Sequence, residues 1–342
     1  MGADSASAFA PGRCTLVGEH VDYADGVVAC MAVHLGVEVT VRRAPREADL
    51  GALPAATLQA LRERGLDVPP LDVGITATLP AGAGLSSSAA LCCATAVAVL
   101  RLLGERMPAR DLCDLALHAE RDIAGVPCGP LDQRAVVLSP YGGTLLLDCR
   151  DGSATTAPWL PGHVLAACHT GASHDVAGEG YRSRRQQADA ALHLLGVASY
   201  RDVQPPQLDA LLARDDVLGR RARHIVTETA RALACADALR RGDAGAVGAL
   251  MSASQASLRD DYEVSTPALD AVVAAAERVE GCRGARLVGA GFGGTAVALV
   301  EEGSAERCLD AMRAALPGGQ GGGAWILRPS PGLRALACDL LA

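Results

Sequence analysis

The sequence predicts an α+β fold in two domains, and three observations support this prediction. The chain has 342 residues, enough for about two domains of ordinary size, each with its own hydrophobic core. Strand and helix patterns alternate in the first half, whereas helix patterns dominate most of the second half. A segment with Pro and Gly at residues 152–162 separates the halves, so we expect the domains to cover residues 1–160 and 161–342.

The elements of the first half follow from alternation and from glycine and proline positions. Alternating patterns with β-branched side chains predict strands at residues 36–43, 71–79, 143–149 and 163–169. A helix is expected over residues 86–103, because Gly104 suits the position after a helix end. A second helix begins near Pro108, which is favourable in a first turn, and continues to Ala124.

Helix patterns fill most of the second half and lead to a glycine-rich hairpin. The predicted helices cover residues 181–195, 216–241, 244–258, 267–281 and 304–316. Residues 284–300 are predicted to form two strands joined by glycines, and a glycine-rich linker at 318–323 and a strand at 324–328 follow. Gly289, Gly291 and Gly294 fit the dinucleotide pattern G-x-G-x-x-G, but a strand follows them where that pattern requires a helix. We therefore exclude a dinucleotide site of this type.

Composition favours a soluble globular protein. Half of the residues are hydrophobic but only 3% are aromatic, so Ala, Val and Leu must fill the core. The net charge of -8 argues against general binding to nucleic acid or to an anionic membrane, since both need a basic face. The 12 cysteines form no C-x-x-C pair and no signal peptide is evident, which favours a reducing, cytoplasmic compartment. We expect a monomer or a weak homo-oligomer.

Residues 80–91 (P-A-G-A-G-L-S-S-S-A-A-L) predict a loop that leads into the start of a helix. Gly82 and Gly84 allow close approach of the backbone to a ligand. Free N–H groups at a helix start favour phosphate, and the serine hydroxyls can add hydrogen bonds or a ligand for Mg2+. No G-K-[ST] follows, so this is not a Walker A loop. A tight turn with a serine N-cap is the alternative interpretation.

A second polar cluster precedes this loop, in residues 9–25 (F-A-P-G-R-C-T-L-V-G-E-H-V-D-Y-A-D). Glu19, His20 and Asp22 follow an apolar, strand-like run, and Arg13 and Tyr23 supply a cation and an aromatic hydroxyl. Such a set indicates a binding site for a polar ligand. A solvated surface turn is the alternative.

The third cluster lies at residues 118–133 (H-A-E-R-D-I-A-G-V-P-C-G-P-L-D-Q). It resembles half of a zinc deaminase signature, but Leu131 stands where the second thiolate would be, so we reject a zinc site. Asp132 lies in an apolar surrounding, where a carboxylate is costly unless it is paired or functional, and Arg13 is its natural partner. A plain salt bridge is the alternative.

Taken together, three separated blocks resemble one family, the GHMP small-molecule kinases, and most of all its galactokinase branch. The blocks are A-P-G-R-C-T-L-V-G-E-H-V-D-Y, P-A-G-A-G-L-S-S-S-A-A-L and G-A-G-F-G-G-T, in the order of the family. Two further segments, G-V-P-C-G-P-L-D-Q and H-D-V-A-G-E-G-Y-R-S-R-R, are also similar. Thr295 stands where Cys is common. The resemblance implies a ribosomal-S5-like N-terminal domain and a ferredoxin-like C-terminal domain, with the active site between them.

The resemblance also implies roles for individual residues. Asp132 would face the anomeric hydroxyl of a sugar as base or charge stabiliser, and Arg13 would orient Asp132. The residues implied to bind the sugar are Glu19, His20, Asp22, Gly129 and Tyr181. Those implied to hold the phosphates of ATP are Gly82, Gly84, Ser86, Ser87 and Ser88. Ser87 or Ser88 would bind Mg2+ together with Glu120.

These implications lead to the hypothesis of an ATP-dependent sugar 1-kinase that acts on D-galactose or a near relative. A kinase for N-acetylgalactosamine or a rare aldose stays open. So does a sugar and ATP sensor that has lost turnover, although the joint presence of Arg13, Glu120 and Asp132 argues for catalysis.

Overall fold

The computed structural model describes residues 4–46, 49–80, 82–171, 175–214, 216–316 and 322–341. Within these ranges the chain forms two antiparallel sheets covered by helices, which confirms the predicted α+β class. In the first sheet, β1 (Ser5–Val17) pairs with one edge of the long β2 (Val27–Arg43). The other edge of β2 pairs with β3 (Leu71–Ala77) and β4 (Gly143–Asp148), and β5 (Ala154–Pro158) extends the sheet beyond β4.

Two helices of the first half, the second and the fourth, pack on this sheet, and the other two pack on those helices. In chain order, the helices are α1 (Ala52–Glu63), α2 (Ser87–Leu103), α3 (Ala109–Leu117) and α4 (Leu131–Leu138). The central helix is α2, whose small and branched side chains are buried almost throughout its length. This agrees with a core built from Ala, Val and Leu.

The second sheet has the strand order β7-β8-β6-β9. Its strands are β6 (His163–His169), β7 (Cys282–Val288), β8 (Thr295–Glu301) and β9 (Gly323–Leu327). The helices associated with it are α5 (Asp175–Leu195), α6 (Pro205–Leu212), α7 (Val217–Arg240), α8 (Ala244–Asp260), α9 (Pro267–Glu277) and α10 (Ala305–Ala314).

The chain returns to the first domain after β9. The short helix α11 (Leu333–Leu336) contacts α4 and β1, and Leu333, Leu340 and Leu341 belong to the same buried cluster as α2. The strands of the first sheet end at Pro158 and those of the second begin at His163. The predicted division at residues 160 and 161 stays a prediction.

Most predicted elements are present, with differences at their ends. The helix predicted from Pro108 to Ala124 is α3 followed by a π-helical segment, His118–Ile123, and the helix predicted at 267–281 ends at Glu277. The elements that were not predicted are α1, α4, β5, α6 and α11. The linker predicted at 318–323 lies mostly outside the described residues. Among the described residues, no helix combines the length and the apolar character needed to cross a membrane.

Candidate active site

A cavity of about 440 Å³ lies where the two domains meet. Loops after β1, before α2 and before α4 line one side, and α5 and the β7–β8 hairpin line the other. The predicted residues that line the cavity are Arg13, Glu19, His20, Asp22, Gly82, Ser87, Ser88, Gly129, Asp132 and Tyr181. Gly84, Ser86 and Glu120 do not line it but adjoin residues that do. The structure therefore brings the three predicted clusters together.

Arg13 and Asp132 form a salt bridge in the wall of this cavity. Nε and Nη2 of Arg13 lie 2.9 and 2.6 Å from Oδ1 of Asp132, and Nη1 donates to the carbonyl oxygen of Gly84 at 2.6 Å. Burial alone would lower the pKa of Arg13, but Asp132 and Glu19 raise it above its ordinary value. The Arg13 side chain is buried, whereas 21% of the Asp132 side chain stays exposed, so its carboxylate is accessible from the cavity.

An irregularity in the pairing of β1 with β2 lies next to Arg13. Pro11 pairs with Gly36 but Gly12 pairs with Val33, so the extra residues of this bulge lie in β2. A Cβ atom on Gly12 would lie 2.7 Å from a methyl group of Leu79 and from the carbonyl oxygen of Leu85. Only glycine lets β1 lie this close to the loop before α2, where the backbone N–H of Arg13 donates to Leu85 at 3.1 Å.

The loop before α2 has the backbone of an anion cradle. Gly82, Gly84 and Ser86 all have positive φ angles, of 74°, 70° and 61°. Ser86 directly precedes α2, yet its side chain makes no capping hydrogen bond and its buried Oγ has no partner among the described residues. An N-cap residue is usually extended, and its side chain accepts a hydrogen bond from the helix. The structure therefore argues against the serine N-cap, and the phosphate interpretation stays a prediction.

The β7–β8 hairpin supports this cradle from the second domain. A Cβ atom on Gly84 would lie 3.0 Å from the carbonyl oxygen of Val288, and one on Gly289 would lie 3.3 Å from Cα of Gly84. Thr295 donates its hydroxyl to the carbonyl oxygen of Ala83 at 2.6 Å. The glycines of the hairpin thus allow two backbones to pack closely, which agrees with the exclusion of a dinucleotide fingerprint.

Glu120 lies behind the serines, in the π-helical segment His118–Ile123. Segments of this kind are frequent at functional sites. Gln133 donates to Oε2 of Glu120 at 2.7 Å. Burial raises the pKa of Glu120 to about 7, and hydrogen bonds from Ser88 and Gln133 oppose this shift. A single buried carboxylate beside a hydroxyl suits Mg2+, which takes oxygen ligands and usually shares phosphate oxygens.

Asp22 and Gly129 face each other at the loop between β1 and β2, residues 18–26, which we call the sugar loop because the resemblance implies that it binds a sugar. A Cβ atom on Gly129 would lie 1.8 Å from Oδ2 of Asp22, so this position has no room for a larger side chain. Burial, together with the charges of Asp132 and Glu19, raises the pKa of Asp22 to about 7. Asp22 is therefore an acceptor whose charge changes near neutral pH.

His20 is held in one tautomer by its neighbours. Its Nε2 lies 3.0 Å from the carbonyl oxygen of Ala290, which can only accept, so Nε2 carries the proton and Nδ1 accepts from the hydroxyl of Tyr23 at 2.9 Å. The hydroxyl of Tyr262 then donates to that of Tyr23 at 2.8 Å. Burial lowers the pKa of His20 to about 3, so the ring is neutral. Both ring nitrogens are occupied, so the hydrogen bond to a sugar predicted for His20 requires one of these bonds to break.

Tyr181, on α5, has a buried hydroxyl with no hydrogen-bond partner among the described residues. Its ring centroid lies 5.7 Å from that of His20 and 5.5 Å from that of Tyr23. Burial raises the pKa of Tyr181, so the hydroxyl stays protonated and can donate. A buried polar group without a partner requires an explanation, and a ligand in the cavity supplies one.

Sequence reasoning missed the buried polar residues behind Glu19. Arg286 on β7 and His224 and Glu228 on α7 are all fully buried. Arg286 lies on β7, and an arginine on a strand is mostly expected to be exposed. The only signal for the other two is that His224 and Glu228 are four residues apart and so share one face of a helix.

Comparison with known proteins agrees with this geometry. The model of the GHMP kinases N terminal domain matches residues 52–140, and that of the GHMP kinases C terminal matches residues 235–318. The galactokinase galactose-binding signature matches residues 1–43. The fold and the cradle thus place the molecule in the class of two-domain small-molecule kinases.

Relatives and solved structures narrow this class. The chain is 39% identical to a galactokinase of Roseiflexus sp. (strain RS-1) over 334 residues, covering 87% of this chain and 84% of that protein. It is 36% identical to a Homo sapiens galactokinase over 336 residues, covering 88% and 85%. The crystal structure of Lactococcus lactis galactokinase complexed with galactose has a TM-score of 0.89 at 26% identity, covering 96% and 94% of the two chains. The chain belongs to the galactokinase family of the GHMP kinases, and it is a phosphotransferase.

A mevalonate kinase of L. major shares the fold alone, with a TM-score of 0.68 at 20% identity and coverage of 97% of this chain and 99% of that one.

Proposed function

We propose that this protein transfers the γ-phosphoryl group of ATP to the C1 hydroxyl of D-galactose, giving galactose 1-phosphate and ADP. The observation that carries the proposal is the Arg13–Asp132 pair, which lies between the sugar loop and the glycine cradle. The galactose-binding signature and the Lactococcus lactis structure, which was described with galactose, support the choice of sugar.

Asp132 is the group that would act on the acceptor. A sugar hydroxyl is a weak nucleophile, and a carboxylate within hydrogen-bond reach can take its proton as the new bond to phosphorus forms. Arg13 fixes the carboxylate through Oδ1, which leaves the second oxygen for the substrate. Its positive charge also offsets the negative charge of a loose phosphoryl-transfer transition state.

The cradle would hold the donor. Ser87 and Ser88 line the cavity at the start of α2, where free N–H groups and the helix dipole favour phosphate. Ser88 and Glu120 would hold Mg2+, which when bound neutralises charge on the phosphates. We assign the sugar hydroxyls to Glu19, Asp22 and Tyr181, with Gly129 giving the ring close access and His20 forming part of the wall.

We also propose a cytoplasmic location. All twelve cysteines lie in the described ranges and are free thiols, and most of them are buried, which suits a reducing compartment. For the oligomeric state of the protein we propose a monomer or a weak homo-oligomer.

The decisive experiment is a coupled assay of ADP release with purified protein, ATP, MgCl2 and a panel of aldoses. We expect rapid release with D-galactose, because Glu19, Asp22 and Tyr181 present acceptors and a donor to several hydroxyls. Fast turnover only with N-acetylgalactosamine or another aldose would assign that sugar, and not D-galactose, as the substrate. Tight binding of galactose with no ADP release would make the protein a sensor and overturn the proposal.

A further inference from the structure

Arg286 is a buried cation that the mechanism above does not use. It lies on β7 with no exposed surface. Its Nε donates to the carbonyl oxygen of Leu287 at 2.8 Å, and Nη1 reaches into the first domain to donate to the carbonyl oxygen of Leu16 at 3.0 Å. Nη2 has no hydrogen-bond partner among the described residues, but it lies 3.6 Å from Oε1 of Glu19. Because a buried charge is costly, it requires compensation by nearby groups.

One of the two carboxylates near Arg286 is fully committed to other partners. Oε1 of Glu228 lies 3.9 Å from Nη1 of Arg286 and accepts hydrogen bonds from the backbone of Gly18 at 2.8 Å and from Ser254 at 2.6 Å. Its Oε2 accepts from Arg231 at 2.7 Å. Burial alone would raise the pKa of Glu228, but the neighbouring positive groups and these hydrogen bonds lower it to about 2. This carboxylate anchors the sugar loop through Gly18.

The other carboxylate, that of Glu19, lines the cavity and can accept a further hydrogen bond. Its Oε1 accepts from the backbone N–H of Gly289 at 2.7 Å, and no hydrogen bond to its Oε2 is found among the described residues. Burial raises the pKa of Glu19, Arg286 and Arg13 oppose this shift, and Asp132 adds to it. Glu19 therefore depends on nearby cations for its charge.

The guanidinium group of Arg13 binds other partners and does not compensate the charge of Glu19 alone. Its Nε and Nη2 are directed at Asp132, and its Nη1 donates to Gly84. On the side of α7, His224 donates from Nε2 to the backbone carbonyl of Glu19 at 3.0 Å. Burial lowers the pKa of His224 to about 4, so this ring adds no charge at neutral pH.

We propose that Arg286 is a positioning residue of the sugar site, which keeps Glu19 ionised and fixed so that its second oxygen accepts a hydrogen bond from a sugar hydroxyl. The inference rests on the proposed function, because it needs Glu19 to bind the sugar. Arg286 itself does not touch the cavity.

A double-mutant cycle tests this inference. The kcat and the KM for galactose are measured at saturating ATP for the unchanged protein and for the Arg286→Met, Glu19→Gln and double variants. Arg286→Met is expected to raise the KM by about tenfold or more, with kcat little changed, because Asp132 and Arg13 keep their contact. In the Glu19→Gln background, the same substitution should change the KM by less than about twofold, because no charge remains to be held.

The pH profile gives a second readout. Loss of the Arg286 cation raises the pKa of Glu19 further, so the acid limb of kcat/KM for galactose should move to higher pH in Arg286→Met. Arg286→Lys keeps the charge and should restore the limb. Asp22 also titrates near neutral pH in the unchanged protein, so the result is the difference between the Arg286→Met and Arg286→Lys profiles.

The chain offers a matched control. Arg283 lies on the same strand but pairs with Glu301 at the surface, so Arg283→Met should leave the KM unchanged. If Arg286→Met does not fold, Arg286→Gln, which keeps N–H donors without the charge, takes its place with the same expectations.

Equal KM effects of the Arg286 substitution with Glu19 and with Gln at position 19 would overturn the inference, because they indicate a purely structural role. So would a KM that does not change. An unchanged protein without galactose-dependent turnover would instead contradict the proposed function itself.

Discussion

Asp132 and Arg13 lie 119 positions apart in the chain, and they form a salt bridge in the wall of the cavity. The pair differs from an ordinary surface salt bridge in two respects. Its arginine is buried and also bonded to the cradle, and its carboxylate is partly exposed and lines the cavity. At the residue scale, function therefore depends on a charge held at a defined place.

Glu120 illustrates the cost of such charges. Its pKa in the folded protein is about 7, above the ordinary value of 4.5, so the fold favours the uncharged form. The stability that this group contributes is fully present below about pH 4.5 and is lost as the pH rises through about 7. An active site that needs the charged form thus lowers the stability of the protein at neutral pH.

We predict that Glu120→Gln raises the free energy of unfolding at about pH 8 by an amount on the order of 2 kcal/mol, because the variant buries no charge. At about pH 4 the two proteins should be nearly equal in stability. Urea unfolding at both pH values measures this difference. A variant that is less stable than the unchanged protein at alkaline pH would show that the ionised carboxylate of Glu120 does not destabilise the fold.

Individual site residues could be predicted where they lie in a dense local pattern. Glu19, His20 and Asp22 form such a pattern, and so do the serines of the cradle. Arg286 could not be predicted as a site residue, because its partners come from β1, from the sugar loop and from α7. Nor does the pattern show that both nitrogens of His20 are occupied, since that depends on Ala290 in the other domain.

At the scale of elements, α2 is the helix that connects the core to the site. Both of its ends need positive φ angles, with Gly84 and Ser86 before it and Gly104 after it. The two glycines differ in their surroundings. A Cβ on Gly84 would press on Val288, whereas a Cβ on Gly104 would meet no atom within 4 Å.

This difference allows a matched pair of substitutions. We predict that Gly104→Ala lowers the free energy of unfolding by about 1 kcal/mol, because it places a Cβ at positive φ, and that Gly84→Ala lowers it by more, because its Cβ also presses on Val288. Only Gly84→Ala should also raise the KM for ATP severalfold, because it displaces the cradle. Thermal unfolding and steady-state kinetics measure the two effects. Equal ATP kinetics in the two variants would separate Gly84 from the nucleotide site.

The elements differ in how far the sequence predicts them. Long, periodic α2 ends at a glycine and is predicted almost to the residue. The eight residues of α4 follow a Pro- and Gly-containing loop, and they are too few for a helical period to be clear. The π-helical turn at His118–Ile123, in which Glu120 accepts a hydrogen bond from Gln133, has no sequence signature of its own.

At the scale of the whole molecule, the site depends on two domains that are connected more than once. The β7–β8 hairpin packs on the cradle, donates a hydrogen bond from Gly289 to Glu19 and accepts one from His20 at Ala290. The residues after β9 return to the first core through α11. This return had no sequence signal, because its few leucines follow a proline-containing loop.

The return suggests a further comparison of neighbouring leucines. We predict that Leu333→Ala lowers the free energy of unfolding by about 2–5 kcal/mol, because Leu333 is fully buried against the first core. Leu336→Ala on the same helix should change it by less than about 0.5 kcal/mol, since Leu336 is 41% exposed. Urea unfolding followed by circular dichroism measures both. Equal effects would mean that α11 does not pack as described.

The most direct test of the account is the turnover of Asp132→Asn beside its affinity for galactose. We expect kcat to fall by about 100-fold or more, because the variant has no carboxylate to take the proton. Calorimetry should show galactose binding within a few-fold of the unchanged protein. Near-normal turnover of Asp132→Asn would contradict the central claim.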